Sequence, residues 1–427
     1  MTRKCLHLAL AATALLLWQC RSARPPARTA DNMAYLYGQE ASSIDMRARV
    51  FNGTDVHSTI YFKLRTRDLL YKSDGEGAPF RARVDLRYEA FADRDMKQLL
   101  DSMSTFVKDS AEDPRQDKEL IGSMEMQRND RRTFFLRITA TDLNRGTSTA
   151  IVLTVDRTGA GVRNDFLPMH PRNGIPLFDD HLVGPDTVRI RCDQYSGRRL
   201  YGAYYDQEIR LPAPVFATQP APTIDRSADS TFVVQVDPDG TFLLPFGTHG
   251  FVHLRPDTMQ EAGYTLFLFG QGYPYIATGP DMVLPLRYIT SLQEFDKITT
   301  SGDPRKAVEQ FWLDASGDRE RARQAINAYY GRVEGANRYF TSVVEGWRTD
   351  RGLVHIIFGT PTVIYRSARG ERWIYGDENN LMSLTFEFER REEPFSDNDM
   401  VLHRDPTLKG AWYRNVESWR NGRVLQN

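Results

Sequence analysis

The sequence is poor in cysteine, with only Cys5, Cys20 and Cys192 among 427 residues. Cys5 and Cys20 both fall within the first 20 residues, so Cys192 is the only cysteine in the rest of the sequence. A single thiol cannot form a disulfide within that part of the chain. Without disulfides, its stability depends on core burial.

The sequence also has no excess of charge of either sign. It carries 55 Lys and Arg against 56 Asp and Glu. Loss of Arg3 and Lys4 with the leader leaves 53 against 56, a net charge of −3. A nucleic-acid or polyanion binder needs a basic excess, so this balance argues against both.

Motifs for common chemistry are missing. The sequence has no Cys-x-x-Cys pair and no serine nucleophile elbow. Residues 270–273, Gly-Gln-Gly-Tyr, are not followed by a predicted helix, so they do not predict a nucleotide loop. His249 and His253 are four apart but fall in a predicted loop and strand, where this spacing does not present a metal site. The sequence therefore predicts no catalytic residue, no cofactor and no metal, and leaves a small-molecule ligand open.

The N-terminus has the pattern of a lipoprotein leader. Arg3 and Lys4 precede an apolar run over residues 6–18, which is too short for a membrane span and typical of a secretory signal. Cys20 follows directly, in a context that resembles the lipobox of bacterial lipoproteins. We expect a signal peptide over 1–19, lipidation of Cys20 and a Pro-containing tether over 20–33. The absence of an acidic run after Cys20 resembles lipoprotein signals that keep the protein facing the periplasm at the outer membrane.

Period-two alternation predicts two β-rich modules, over 34–158 and 163–288. The first should be a sandwich of about six short strands, with a polar, helix-tolerant stretch over 93–119. In the second, the proline-rich residues 211–222 should be an extended crossover. Residues 236–241, Val-Asp-Pro-Asp-Gly-Thr, predict a tight hairpin turn joining two paired strands.

From residue 289 the pattern becomes helical. Asp303 and Asp318 are predicted caps of two helices, the second carrying one apolar stripe as far as Trp347. Strands are predicted over 353–358, 371–375 and 382–389. The expected fold class is therefore mostly β with an α+β C-terminal domain over 289–427, in which a helix pair packs on a small antiparallel sheet behind two β-sandwich-like modules.

One constellation in this domain is specific enough to carry a resemblance. It comprises Gly346, Trp347, Thr349, Asp350, Arg351, Gly352, Gly359, Pro361, Trp373 and Tyr375. Residues 289–427 thereby resemble the GWxTD-domain family of exported proteins in Bacteroidota and related bacteria. The resemblance implies an export or lipoprotein leader and a cell-envelope address, and it supplies no activity. The order of elements is also similar to that of the small lipoprotein of the outer-membrane β-barrel assembly machine.

Two readings of the motif's polar residues stand side by side. Asp350 as an acid or base, with Arg351 holding an anion, would make the protein a hydrolase. The alternative is that Thr349 and Asp350 accept backbone N–H groups and Arg351 pairs locally. A single carboxylate without a partner is weak support for hydrolysis, so the structural role is the expectation.

Aromatic residues offer two further candidate surfaces. A polysaccharide or peptidoglycan binder would stack glycans on Tyr264, Phe267, Phe269, Tyr273 and Tyr275, although these residues are more typical of a sandwich core. Near the C-terminus are Trp412, Tyr413 and Trp419, which we interpret as a partner-docking site.

Together these patterns predict a non-enzymatic cell-envelope lipoprotein. Its expected partners are the outer membrane, through the lipid anchor, and an envelope protein complex for outer-membrane protein assembly or secretion, in which it serves as a scaffold or accessory subunit. No nucleic-acid partner is expected.

Overall fold

The structure is a computed structural model that describes residues 32–38, 44–54, 56–75, 77–183, 187–245, 247, 249–378, 380 and 382–423. From Met33 onward the chain forms one compact unit. It is mostly β with a helical region towards the C-terminus, which confirms the expected fold class. No helix among the described residues is both long and apolar enough to span a bilayer.

The first module is a β-sandwich. Its strands are β1 (Met46–Asn52), β2 (His57–Arg65), β3 (Lys72–Ser73), β4 (Phe80–Phe91), β5 (Leu99–Ala111), β6 (Glu119–Gln127), β7 (Thr133–Asp142) and β8 (Thr147–Asp156). One sheet has the order β1-β2-β6, and the other has β3-β4-β7-β8 with β5 on the free side of β4. Alternate residues such as Ile60, Leu86 and Ile138 fill the core between the sheets, as the period-two pattern predicts.

The expectation of a helix-tolerant stretch over 93–119 was wrong, because the strand β5 (Leu99–Ala111) runs through its middle. β5 pairs with β4 along its whole length, from Phe80↔Ala111 to Phe91↔Leu99. It is an edge strand, and Leu99, Met103 and Phe106 are exposed on it. A strand with one bonded neighbour and little burial lacks clean alternation, so its sequence resembles a polar loop.

The second module packs a five-stranded sheet on a three-stranded one. Its strands are β9 (Leu167–Met169), β10 (His181–Val183), β11 (Thr187–Arg191), β12 (Arg199–Tyr205), β13 (Ser230–Gln235), β14 (Thr241–Pro245), β15 (Gly250–Arg255) and β16 (Tyr264–Phe269). The orders are β10-β16-β15-β12-β13 and β14-β11-β9. β10 and β16 run parallel, and the other pairs are antiparallel.

The predicted turn over 236–241 forms, but the paired hairpin does not. Gly240 has φ +78°, and its N–H donates to Asp237 O over 3.0 Å. Beyond the turn, β13 pairs with β12 and β14 pairs with β11, so the two strands enter different sheets. Phe242 and Leu244 of β14 face the core between the sheets together with Phe232 of β13. The two strands therefore contact each other through side chains buried between the sheets, and not through backbone hydrogen bonds.

Among its described residues, the C-terminal module contains six α-helices and one antiparallel sheet. The helices are α1 (Gly279–Val283), α2 (Leu292–Thr299), α3 (Pro304–Ser316), α4 (Arg319–Phe340), α5 (Asp350–Phe358) and α6 (Lys409–Arg420). The strands β17 (Val363–Arg366), β18 (Gly370–Tyr375), β19 (Leu384–Arg390) and β20 (Met400–Leu402) follow one another in that order in the sheet. Asp303 and Asp318 cap α3 and α4 as predicted, accepting from Lys306 N and Arg321 N.

Two expectations in this module were wrong. Residues 353–358 are helical, as part of α5, and α4 ends at Phe340 before it reaches Trp347. All nine residues of α5 are buried, and a short segment that is apolar on every side shows no period that separates helix from strand. The apolar residues beyond Phe340 are buried, as the stripe indicates. However, Val343, Val344 and Trp347 lie on the segment that connects α4 to α5 and not on α4 itself.

The modules share further contacts. Val343, Val344 and Phe395 cover the outer face of the five-stranded sheet, packing on side chains of β12, β15 and β16. Because both faces of β16 are covered, all six of its residues are buried. The proline-rich residues 211–222 contain no strand, as expected, and their Val215 O accepts from Asp405 N over 3.1 Å.

The first described residues also pack in the C-terminal module. Met33 N donates to Ile364 O over 2.9 Å, and Met33 and Tyr37 belong to the same hydrophobic core as Trp347 and Trp373. The end of the expected tether is therefore fixed to β17.

Candidate functional site

The site is the turn between α4 and α5, where Gly346-Trp347-Arg348-Thr349-Asp350 forms one turn of 3-10 helix followed by the start of α5. Two glycines make this turn possible. A Cβ on Gly346 would lie 1.9 Å from Ala336 O, and a Cβ on Gly352 would lie 2.0 Å from Gly346 O. Both positions need glycine because the backbones of α4, the turn and α5 touch there.

Trp347 and Thr349 hold the turn in place. The Trp347 side chain is buried, with its ring edge-on to Tyr288 at 5.9 Å between centroids, and its carbonyl accepts from the Tyr288 hydroxyl over 2.9 Å. Thr349 caps α5: its Oγ1 accepts from Gly352 N over 3.0 Å and donates to Gly346 O over 2.8 Å. This is the arrangement in which a threonine at a helix start satisfies an otherwise unpaired N–H.

Asp350 binds to the end of β20 and to the loop after that strand. Its Oδ1 lies 2.5 Å from Arg404 Nη2, and its Oδ2 accepts from Leu402 N over 2.8 Å. The two side chains are 5% and 7% exposed. Both carboxylate oxygens are therefore occupied, and the pair binds the first turn of α5 to the end of β20.

Arg351 enters a second buried cluster around Glu371. Arg351 Nη1 lies 3.4 Å from Glu371 Oε1, and Arg366 Nε donates to the same oxygen over 2.7 Å. The other oxygen accepts from Trp373 Nε1 over 3.0 Å. Burial alone would raise the pKa of Glu371, but the two arginines outweigh it and lower that pKa to about 2.

Tyr37 completes this cluster from the far end of the chain. Its hydroxyl donates to Glu371 Oε1 over 2.9 Å and accepts from Arg366 Nη2 over 2.8 Å. Burial raises the pKa of the Tyr37 hydroxyl, so it remains a neutral donor. Arg351 also donates to Asn398 O over 2.8 Å and lies 5.0 Å from the centre of the Phe340 ring.

The remaining motif residues close the other end of α5. Gly359 has φ +86°, and its carbonyl accepts from the Tyr375 hydroxyl over 2.8 Å. Pro361 is buried beside it. Arg332 and Trp419 donate to the carbonyls of Ile356 and Ile357 at the end of the helix. The ten motif residues thus lie in the first turn of α5 or around it, and all ten are buried.

A family model described as the GWxTD domain matches residues 250–421. The chain contains a GWxTD domain. The match begins at β15, before the boundary expected at residue 289, so the GWxTD region includes two strands of the second module.

Comparisons beyond this family are weak. No curated protein matches the sequence. Among solved structures, red sea bream transglutaminase matches at 10% identity with a TM-score of 0.19, over 53% of this chain and 31% of that chain. CBD12 from CALX1.2 matches at 12% identity with a TM-score of 0.13, over 56% and 86%. Neither likeness bears on the fold of this protein.

The other sequence candidates are dispersed. Cys20 lies outside the described residues. Trp412 and Trp419 are buried in the core of the GWxTD domain, whereas Tyr413 is 53% exposed. His253 is buried and bonded to Thr265, and burial lowers its pKa to about 4, while His249 is exposed beside Asp206. The described residues contain no group of three side chains suited to a metal ion.

The five aromatics considered as a glycan platform do not share one surface. Tyr264, Phe267 and Phe269 are buried in β16, and only Tyr275 is largely exposed. The Tyr273 hydroxyl accepts from Gly346 N over 3.2 Å. Tyr273 therefore joins the second module to the motif turn.

Sequence reasoning missed the partners of the motif, namely Tyr37, Arg366, Glu371, Asn398 and Arg404. One signal was present in the sequence. Glu371 alternates with Trp373 and Tyr375, so it lies on the inward face of β18, where a charge needs buried partners.

Proposed function

We propose that this chain is a non-enzymatic envelope lipoprotein, anchored through Cys20 to the outer membrane and facing the periplasm. It serves there as a scaffold or accessory subunit of a complex that assembles or secretes outer-membrane proteins. The observation that carries the proposal is the burial of the GWxTD motif. Of its residues over 346–352, only Arg348 is partly exposed, and the Asp350 carboxylate is saturated by Arg404 and Leu402 N.

A buried motif of this kind stabilises the GWxTD domain. Partner proteins would then bind to the exposed surfaces of the domain and not to the motif. The hydrogen bond from Met33 N to β17 also supports the proposal, because it fixes the end of the tether to the GWxTD domain. A fully extended chain spans at most ~3.3–3.6 Å per residue, so a tether over 20–33 reaches about 45 Å. Lipid at Cys20 would keep the GWxTD domain within that distance of the bilayer, where membrane-embedded partners are accessible.

The anchor is tested by Cys20→Ser, with Cys5→Ser as the matched control. Cys20→Ser should abolish labelling by radioactive palmitate and release the protein from the membrane fraction, and Cys5→Ser should do neither. Protease added to intact cells should leave the protein uncut if it faces the periplasm. Equal labelling of both variants would rule out lipidation at Cys20.

The scaffold role is tested by crosslinking in intact cells, detergent extraction and affinity purification of the lipidated protein. A defined set of envelope proteins should copurify with wild type and be reduced with Gly346→Ala, which destabilises the domain. A protein that purifies alone after crosslinking would argue against the role.

A further inference from the structure

A groove of about 1160 Å³ lies beside α5, between the GWxTD domain and the proline-rich crossover. Three segments line it: the proline-rich crossover from Leu211 to Phe216, the residues from Arg287 to Ser291 that precede α2, and α6 with Arg423 beyond it. Leu353 of α5 also lines it, as does Tyr288, whose hydroxyl bonds to Trp347 O. The motif turn is therefore hydrogen-bonded to a residue that lines the groove.

The groove is larger than a small-molecule pocket, which commonly has ~300–1,000 Å³. Its apolar lining is concentrated where the crossover meets α6. Phe216 lies there against Tyr413, with 5.5 Å between ring centres, and Tyr413 is 53% exposed. An exposed tyrosine beside proline and phenylalanine is typical of surfaces that bind peptide segments.

The charges that line the groove are unbalanced. They are four arginines, Arg287, Arg414, Arg420 and Arg423, and one carboxylate, Glu417. Arg420 is neutralised by Glu294, with two N–O distances of 2.7 and 2.8 Å. Within the described part of the chain, no carboxylate lies within ion-pair distance of the other three arginines. Arg287 donates to Thr290 O over 3.2 Å and lies over the Phe295 ring.

We propose that this groove binds a short acidic segment of a partner protein, with an apolar side chain against Phe216 and Tyr413 and carboxylates at Arg287, Arg414 and Arg423. Charge complementarity selects the acidic segment, because each of the three guanidinium groups offers paired donors for a carboxylate. The concave shape favours a peptide over a bilayer, because a flat surface cannot contact a buried lining residue such as Leu353. This inference rests on the proposed scaffold role and specifies the partner's chemistry.

The test uses the purified full chain and three defined probes: a fluorescent pool of short Leu/Phe/Glu peptides, a pool in which Lys replaces Glu, and phosphatidylglycerol vesicles. The variants are Arg414→Glu and Arg423→Glu, and the control is Arg323→Glu on an exposed part of α4. Thermal unfolding should show that all three remain folded. The acidic pool should bind wild type and Arg323→Glu equally, and each groove variant should bind about tenfold more weakly, a change of ~1.4 kcal/mol. Added salt should weaken the binding.

Three results would overturn the proposal: no binding of the acidic pool, equal loss in Arg323→Glu, or binding of vesicles through Arg414 and Arg423 without binding of peptides. The scaffold role is scored separately, by crosslinking the same variants in cells. If complexes form equally with Arg414→Glu, the scaffold role stands and the groove is not its docking site. If no complex forms with wild type, the scaffold role fails while the peptide measurement still decides what the groove binds.

Discussion

Asp350 Oδ1 lies 2.5 Å from Arg404 Nη2, and both side chains are almost completely buried. The charged residue that gives the motif its final letter thus forms a buried ion pair between α5 and the end of β20. This pairing makes the hydrolase and structural readings of Asp350 experimentally separable.

Asp350→Asn should lower the free energy of unfolding by about 3–5 kcal/mol, because it leaves the Arg404 charge buried without a counter-charge. Urea unfolding followed by circular dichroism measures this. The matched control is Asp74→Asn, which breaks an exposed Asp–Arg pair with Arg81 and should cost less than about 1 kcal/mol. A hydrolase centred on Asp350 predicts the opposite outcome, with stability nearly unchanged and an activity abolished.

Gly346→Ala should destabilise the protein by about 3 kcal/mol or more, because the new Cβ would meet Ala336 O at 1.9 Å. Gly331→Ala is the control. Gly331 lies within α4, and a Cβ there meets nothing within 4 Å. That substitution should stabilise by about 0.5–1 kcal/mol through helix propensity. Similar effects of the two substitutions would contradict the close approach of the backbones at the motif turn.

Glu371→Gln should change how stability depends on pH. The folded-state pKa of Glu371 is about 2, against an ordinary 4.5, so its carboxylate stabilises the fold above about pH 4.5 and loses that contribution as the pH falls towards 2. The variant should be less stable at neutral pH and lose less stability on acidification. Glu387→Gln, on an exposed pair with Arg372, should leave the wild-type profile intact. Parallel acid profiles for wild type and Glu371→Gln would refute the assignment.

Tyr37→Phe should cost about 1.5–3 kcal/mol, since it removes hydrogen bonds to the charged groups of Glu371 and Arg366. Tyr413→Phe, at an exposed tyrosine, should change stability by less than about 0.5 kcal/mol. Equal unfolding midpoints for the two variants would show that Tyr37 does not hold the first residues in the core.

The predictable parts of the fold are the elements that bury one face and expose the other, together with helices that carry a local capping residue. β2, β4 and β7 alternate because one face meets a core and the other meets solvent, and the starts of α3 and α4 carry their own capping aspartates. Where burial is complete, as in α5, or weak, as in β5, the sequence has no clear period to detect.

The candidate site was predictable only in part, for a different reason. Its glycines, threonine and tryptophan act within a few residues of one another, so a local sequence pattern marks them. Their partners Arg404 and Glu371 reach the motif through tertiary packing, and no local signal links Asp350 with a residue 54 positions away. The prediction that β13 and β14 pair was wrong for the same reason, because strands distant in sequence determine which sheet each of them joins.

The hydrogen bond between Tyr37 and Glu371 joins residues 334 positions apart. Closing so long a segment requires all of the chain between the two residues. A product cut short before β18 has no Glu371 to accept the hydrogen bond from the Tyr37 hydroxyl. The cluster thus ties completion of the GWxTD core to completeness of the polypeptide, and proteolytic sensitivity near Tyr37 would report on chains that lack their C-terminal strands.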